Sequence, residues 1–168
     1  AHSVTSFALK WGDGIEAEHA KAKEKNIPFI THCSEGYDEE TLRSVETLAA
    51  KKALSKQTVL IHGIAFTDKD MELLAEHQCN VVWCPVSNLY MFEQTARVKE
   101  LMDMGINVTL GTDSPMSGSF SIFEEFRTAR EFYQYAYGRA IDDRALVDMM
   151  TVNAARAMCL PDAGEIAE

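Results

Sequence analysis

The sequence contains no apolar run approaching the ~20 residues that a membrane-spanning helix requires, and no charged-then-apolar amino-terminal stretch of the kind that directs secretion. Basic residues are in the minority: 16 Lys and Arg against 26 Asp and Glu leave a net charge of -10. Nucleic-acid backbones and anionic membranes need a basic patch, so neither suits this chain as a partner. A neutral or cationic small molecule is compatible with the charge. Cysteines are few, and Cys33, Cys79, Cys84 and Cys159 form no C-x-x-C pair. They read as reduced thiols, used as small hydrophobes, in a cytoplasmic protein. Low complexity and disorder-type composition are also missing. What is present is ordinary globular material: 46% hydrophobic and 25% charged positions over 168 residues, enough for one domain with a sizeable core.

Four apolar, β-branched-rich runs, at 27–31, 58–61, 80–84 and 106–110, have the length of strands buried on both faces. Helix signals lie between them. Asp13 with Glu16 reads as a capping box ahead of a helix over 15–25; Thr67 with Asp70 opens one to about His77, and Ser121 with Glu124 opens one to about Tyr137. Residues 38–54 and 95–104 carry apolar side chains at helical spacing, the second closed by Gly105. Residues 142–150 and 152–159 read as two short helices. Strands recurring every ~20–30 residues with helices between them predict an α/β fold, a parallel sheet with helices packed on it. No linker or composition break divides residues 1–168.

The strand ends carry the chemistry. The first run leads into His32, the second into His62-Gly63, the third into Pro85-Val86-Ser87-Asn88, and the fourth into Gly111-Thr112-Asp113-Ser114. In parallel α/β folds the loops leaving the carboxyl ends of strands build the site. Neutral His and ionised Asp are good ligands for zinc and similar divalent metals. Glu35, three residues after His32, lies in the next loop, where a carboxylate can take a proton from an activated water and deliver it to a leaving group. Metal binding lowers the pKa of water from about 15.7 to about 7, on the order of 12 kcal/mol of activation, against some 3 to 5 kcal/mol for a positioned acid or base.

Taken in order, Thr31-His32-Cys33-Ser34-Glu35, Leu60-Ile61-His62-Gly63, Cys84-Pro85-Val86-Ser87-Asn88 and Leu110-Gly111-Thr112-Asp113-Ser114 resemble the amidohydrolase superfamily, in particular its guanine, melamine and chlorotriazine deaminase and hydrolase branch. Thr151-Val152-Asn153-Ala154-Ala155-Arg156-Ala157 and Gly164-Glu165-Ile166 resemble the stretch of chain after the barrel in that branch. The resemblance implies a (β/α)₈ barrel with one catalytic divalent metal, zinc or alternatively iron. It makes His32 a metal ligand, and Asp113 a ligand that also orients the attacking water. His62 is then the group that polarises substrate or helps deprotonate water, Glu35 the proton shuttle, and Asn88 a substrate-flanking or structural residue.

The family also takes two ligands from a His-x-His pair, and none of His2, His19, His32, His62 and His77 lies two residues from another. A barrel needs about 250 residues and eight strands. The chain therefore reads as the carboxyl-terminal half of one, strands five to eight with trailing helices. It needs the other half to complete ligands and core, and the resemblance further implies self-association of the whole protein.

The reaction implied is hydrolytic deamination of an amino-substituted heterocycle. The alternatives are dechlorination or ring opening on the same scaffold, an adenosine deaminase-like enzyme, and a non-catalytic half-barrel module. Ser87 reads as structural, His19 and His77 as surface residues of amphipathic helices, and the aromatic-rich stretch 120–137 as mostly core.

Overall fold

The computed structural model describes residues 4–6 and 14–166. Five parallel strands, β1 (Val4–Ser6), β2 (Phe29–Cys33), β3 (Thr58–His62), β4 (Asn80–Trp83) and β5 (Asn107–Leu110), pair in chain order into one sheet. No long apolar run marks β1, which adds a strand to the four anticipated. It pairs Val4 with Phe29.

The order decides the architecture. Each connection moves one strand further in the same direction, and parallel crossovers are right-handed. All connecting helices then fall on one face, which is the arc of a barrel, whereas a doubly wound sheet reverses direction and covers both faces. Side chains alternate accordingly. Phe29, Cys33, Leu60, Val81, Trp83, Val108 and Leu110 point into the helical layer and form the core. Ile30, Ile61 and Val82 lie on the opposite face and are only half-buried.

The helices are α1 (Ile15–Lys25), α2 (Glu39–Leu42), α3 (Ser44–Ala50), α4 (Asp68–Glu76), α5 (Pro85–Phe92), α6 (Val98–Asp103), α7 (Ile122–Tyr137), α8 (Asp143–Met150) and α9 (Val152–Ala157). The box expected at α4 forms in full: Thr67 accepts from the Asp70 N–H and Asp70 accepts from the Thr67 N–H. Ser121 caps α7 through the Phe123 N–H, and Gly138 closes it in the left-handed conformation at φ 65°. At α1 the N-cap is Gly14, without a side-chain hydrogen bond, and the Asp13 of the box expected there lies outside the described residues.

The segment 38–54 is two helices, broken at Arg43. There the Ser44 hydroxyl bonds back to the Thr41 carbonyl, the local competition for backbone that Ser offers. The run 85–88, read as a strand exit, opens α5, with Pro85 in its first turn where a missing N–H costs nothing.

His19 departs from its expected surface position. It is 2% exposed, with Nε2 2.9 Å from Ser55 Oγ and its ring edge-on to Phe29, so the core accepts it as a partnered polar group. His77 is exposed, as expected. The aromatic stretch divides: Tyr133 is buried, while Phe120, Phe123 and Tyr135 are exposed. The carboxyl-terminal segments 151–157 and 164–166 meet, since Gly164 lies against the Thr151 carbonyl, where a Cβ would come within 2.8 Å. Among the described residues no helix is long and apolar enough to cross a membrane.

Candidate active site

His32, His62 and Asp113 each bring a ligand atom to one place, all within 4.8 Å of one another. They arrive from the carboxyl ends of β2, β3 and β5, the rim where parallel barrels build sites. His32 is the penultimate residue of β2 rather than the first residue after it.

His62 requires more than the pleat. It pairs in register with Cys33, whose side chain lies in the helical layer, so regular alternation would bury His62 there too. Its backbone instead has φ 80°. That left-handed conformation, rare outside Gly, turns the ring toward His32, with the ring centroids 5.3 Å apart and stacked. Asp113 is also left-handed, at φ 57°. Non-Gly residues persist in this region only where their surroundings hold them.

Those surroundings are visible. His62 is 1% exposed, and its Nδ1 lies 2.9 Å from Asn88 Oδ1. Asn88 Nδ2 donates to Thr95 Oγ1 at 3.1 Å, and the Trp83 indole N–H donates to the same oxygen at 2.6 Å. With the Asn88 carbonyl accepting from Nδ1, the ring in its neutral form carries its lone pair on Nε2. That atom is buried and makes no hydrogen bond, and Glu35 Oε1 lies 3.3 Å from it. Asn88, expected as a substrate-flanking or structural residue, is fully buried with both amide atoms engaged by His62 and Thr95. The Asp113 carboxylate accepts hydrogen bonds from Ser87 and, at 3.1 Å, from Ser117.

The electrostatics suit a cation. Burial, followed by the neighbouring His62, holds the His32 imidazole below its ordinary pKa, while Glu35 and Asp113 act in the opposite sense. His32 is therefore neutral at pH 7, the form that binds metal. Burial alone would raise the Asp113 carboxyl. Hydrogen bonds from Ser87 and Ser117, an N–H at Ser114 and the nearby His62 overcome it and hold the group below the usual carboxylate range. Two imidazoles and an ionised carboxylate form a donor set that fits a divalent metal such as zinc. Among the described residues no other such group of His, Cys, Asp or Glu occurs. Cys33 and Cys79 are inert by comparison, burial pushing each thiol up to about 12.

The sequence did not mark Thr95, Trp83 or Glu125 as parts of this end of the molecule, and it left Ser87 as purely structural. Local signals exist only for Ser87, which adjoins the Pro85 helix start. The others are recognised by their partners across space. A cavity of about 540 Å³ lies at the opposite, amino end of β3 to β5, with Lys56, Asn80, Ile106 and Arg156 in its walls, and includes none of the clustered residues.

The model of the amidohydrolase family matches residues 9–168. The chain belongs to the amidohydrolase family. This amidohydrolase chain is 33% identical over 175 residues to a 5-methylthioadenosine/S-adenosylhomocysteine deaminase of Halobacterium salinarum, an alignment covering 98% of the chain but 40% of the relative. Its fold is similar to that of a zinc-bound adenosine deaminase from Xanthomonas campestris, with TM-score 0.89, 23% identity and coverage of 97% of this chain and 40% of that one. A triazine hydrolase from Arthobacter aurescens matches with TM-score 0.87 at 20% identity, covering 99% of this chain and 39% of that one. These likenesses confirm the barrel-type α/β fold. The chain spans about two fifths of the length of each of these proteins.

Proposed function

We propose that the protein carrying this chain is a metal-dependent hydrolase that deaminates an amino-substituted heterocycle. Residues 1–168 supply a partial barrel domain, with β2 to β5 as strands five to eight, β1 preceding them and the helices after them. The observation that carries this reading is the convergence of His32, His62 and Asp113 within 4.8 Å, with Glu35 3.3 Å from His62 Nε2. His32 and Asp113 would hold the metal, zinc in preference to iron, together with the His-x-His pair that the family resemblance implies and this chain does not contain. A divalent cation bound there supplies Lewis-acid activation of water.

The chain's own groups divide the remaining work. Asp113, held ionised, accepts a hydrogen bond from the attacking water and aims it. His62 offers the Nε2 lone pair, fixed by the Asn88 contact at Nδ1, as an acceptor beside the reacting carbon. Glu35, half-buried and 3.3 Å from His62 Nε2, takes the water proton at its carboxylate and returns it to the departing nitrogen. A C–O bond forms, a C–N bond breaks, and ammonia leaves. Asn88 acts by positioning His62 rather than by touching substrate.

The deaminase names of relatives that cover nearly all of the chain support the amine as leaving group over chloride. They also favour a purine nucleoside as the heterocycle. The acidic charge supports a small-molecule substrate in the cytoplasm, with no nucleic acid or membrane partner. The other half of the barrel and further copies of the protein are its structural partners.

The test is to incubate the zinc-loaded protein with an aminopurine nucleoside and, separately, with a chlorotriazine, measuring ammonia and chloride. Ammonia from the first, abolished by Asp113→Ala, is expected. Chloride release alone, or full turnover in Asp113→Ala, would overturn the assignment.

A further inference from the structure

Glu125 is fully buried, in the first turns of α7, and has no part in the proposed deamination. An apolar residue there would avoid the several kcal/mol that burying a carboxylate costs. What the carboxylate does is grip two segments. One oxygen accepts the Val86 N–H at 3.1 Å; the other accepts the Ser119 hydroxyl at 2.5 Å. Val86 precedes Ser87, in the first turn of α5, where backbone N–H groups lack helical partners. Ser119 closes the loop that carries Asp113 and Ser117, its N–H bonding back to the Thr112 carbonyl. Ser87 and Ser117 are the two hydroxyls that hold the Asp113 carboxylate. Glu125 thus bridges the two stretches of chain from which Asp113 is held, and α5 also carries Asn88, which holds His62.

We infer that Glu125 is a positioning residue for the metal site: by clamping Val86 to Ser119 it sets Ser87 and the 113–119 loop at the distance that keeps Asp113 aimed at the cluster. The inference rests on the reading of His32 and Asp113 as ligands of a metal site beside His62. A carboxylate suits the site because the Val86 N–H can only donate and the Ser119 hydroxyl, whose oxygen also lies 3.1 Å from the Ser121 carbonyl, can donate to it. Glutamine keeps an acceptor for the Val86 N–H but reverses the Ser119 contact, replacing the charge-assisted bond by an ordinary, weaker amide one while the size is preserved.

The experiment uses the protein that carries this chain, metal-depleted and reloaded. Zinc affinity is read by chelator competition, the cobalt-substituted form by its visible absorption, and the metal-free form by thermal unfolding. Removing an outer partner of a metal ligand weakens binding by about 10- to 100-fold. Glu125→Gln is expected to weaken zinc about tenfold and alter the cobalt spectrum. Its loss should also be non-additive with Ser87→Ala, the double variant binding about as weakly as the weaker single.

A Glu125→Gln that lowers the unfolding temperature of the metal-free form but leaves zinc affinity within about threefold of wild type, or whose loss multiplies with that of Ser87→Ala, overturns the inference. If Glu125→Gln does not fold, Ser119→Ala removes one grip and leaves the carboxylate. It is expected to weaken zinc in the same direction, and unchanged affinity refutes the clamp. Failure of the wild-type protein to bind zinc or cobalt is a separate outcome: it removes the metal site itself and the inference with it.

Discussion

Replacing Thr95 by valine removes one oxygen and adds one methyl, a change of shape close to zero. Most such swaps at a surface shift stability by less than ~0.5 kcal/mol. Here the oxygen accepts two buried donors at once, the Trp83 indole N–H at 2.6 Å and the Asn88 amide at 3.1 Å. Trp83 and Asn88 are both 0% exposed, so water does not replace the lost acceptor. An orphaned buried donor costs about 1 to 3 kcal/mol, so Thr95→Val is expected to cost about 2 to 6 kcal/mol. Thr95→Ser keeps the oxygen and loses only a methyl, about 1 kcal/mol.

Urea unfolding of the two variants beside wild type measures the difference. A second arm isolates the mechanism. In a Trp83→Phe background only the Asn88 donor remains to be orphaned, so the penalty of Thr95→Val falls by about 1 to 3 kcal/mol. Activity depends on the same chain of contacts, because an Asn88 amide released from Thr95 no longer fixes the His62 ring; kcat/KM is expected to fall at least about tenfold in Thr95→Val, with Thr95→Ser near wild type. Thr95→Val and Thr95→Ser of equal stability, or a penalty unchanged in Trp83→Phe, would refute the account of this network.

A Cβ on Gly118 would stand 1.8 Å from the Thr112 carbonyl oxygen and 3.3 Å from Asp113 Cβ, so Gly118→Ala is expected to cost about 1 to 3 kcal/mol and to displace the Asp113 loop. Urea unfolding together with the cobalt spectrum checks it, and a variant indistinguishable from wild type in both argues against this loop conformation. His19 supplies a pH dependence. Burial, and then Lys23, hold its imidazole below the ordinary value, so the unfolded chain takes up its proton at higher pH than the folded one. The stability it contributes is complete above about pH 6.5 and is lost as pH falls through the lower folded value. His19→Gln should flatten the stability profile just below about pH 6.5, and an unchanged slope there would contradict a buried neutral imidazole.

The parts of this protein that were legible in the sequence are those set by local rules. Strand runs at 58–61, 80–84 and 106–110 appear as strands to within a residue, because a β-branched apolar run buried on both faces has few other solutions. Thr67 with Asp70, and Gly105 at φ 74°, act where their residue types say they should. The order His32, Glu35, His62, Asp113 along successive strand ends was enough to point at one rim of a parallel sheet. His19 was misjudged because a helical pattern shows which side of a helix is apolar, not that Ser55 and Thr58 wait beneath it to satisfy an imidazole. For Asn88 the sequence leaves substrate-flanking and structural roles open, because a polar residue after a strand does not reveal that Thr95 and His62 close on both ends of its amide.

By itself, then, the sequence determined the alternation of strand and helix, the acidic surface, and which residue types stand at each strand exit, all of which depend on spacing and chemistry within a few residues. Only the tertiary structure decided that His62 turns out of its register face at φ 80° to meet His32, and that a carboxylate at position 125 binds Val86, 39 positions away. Contacts of that kind are set by how layers pack and by which backbone strain the packing can hold, and no periodicity records them.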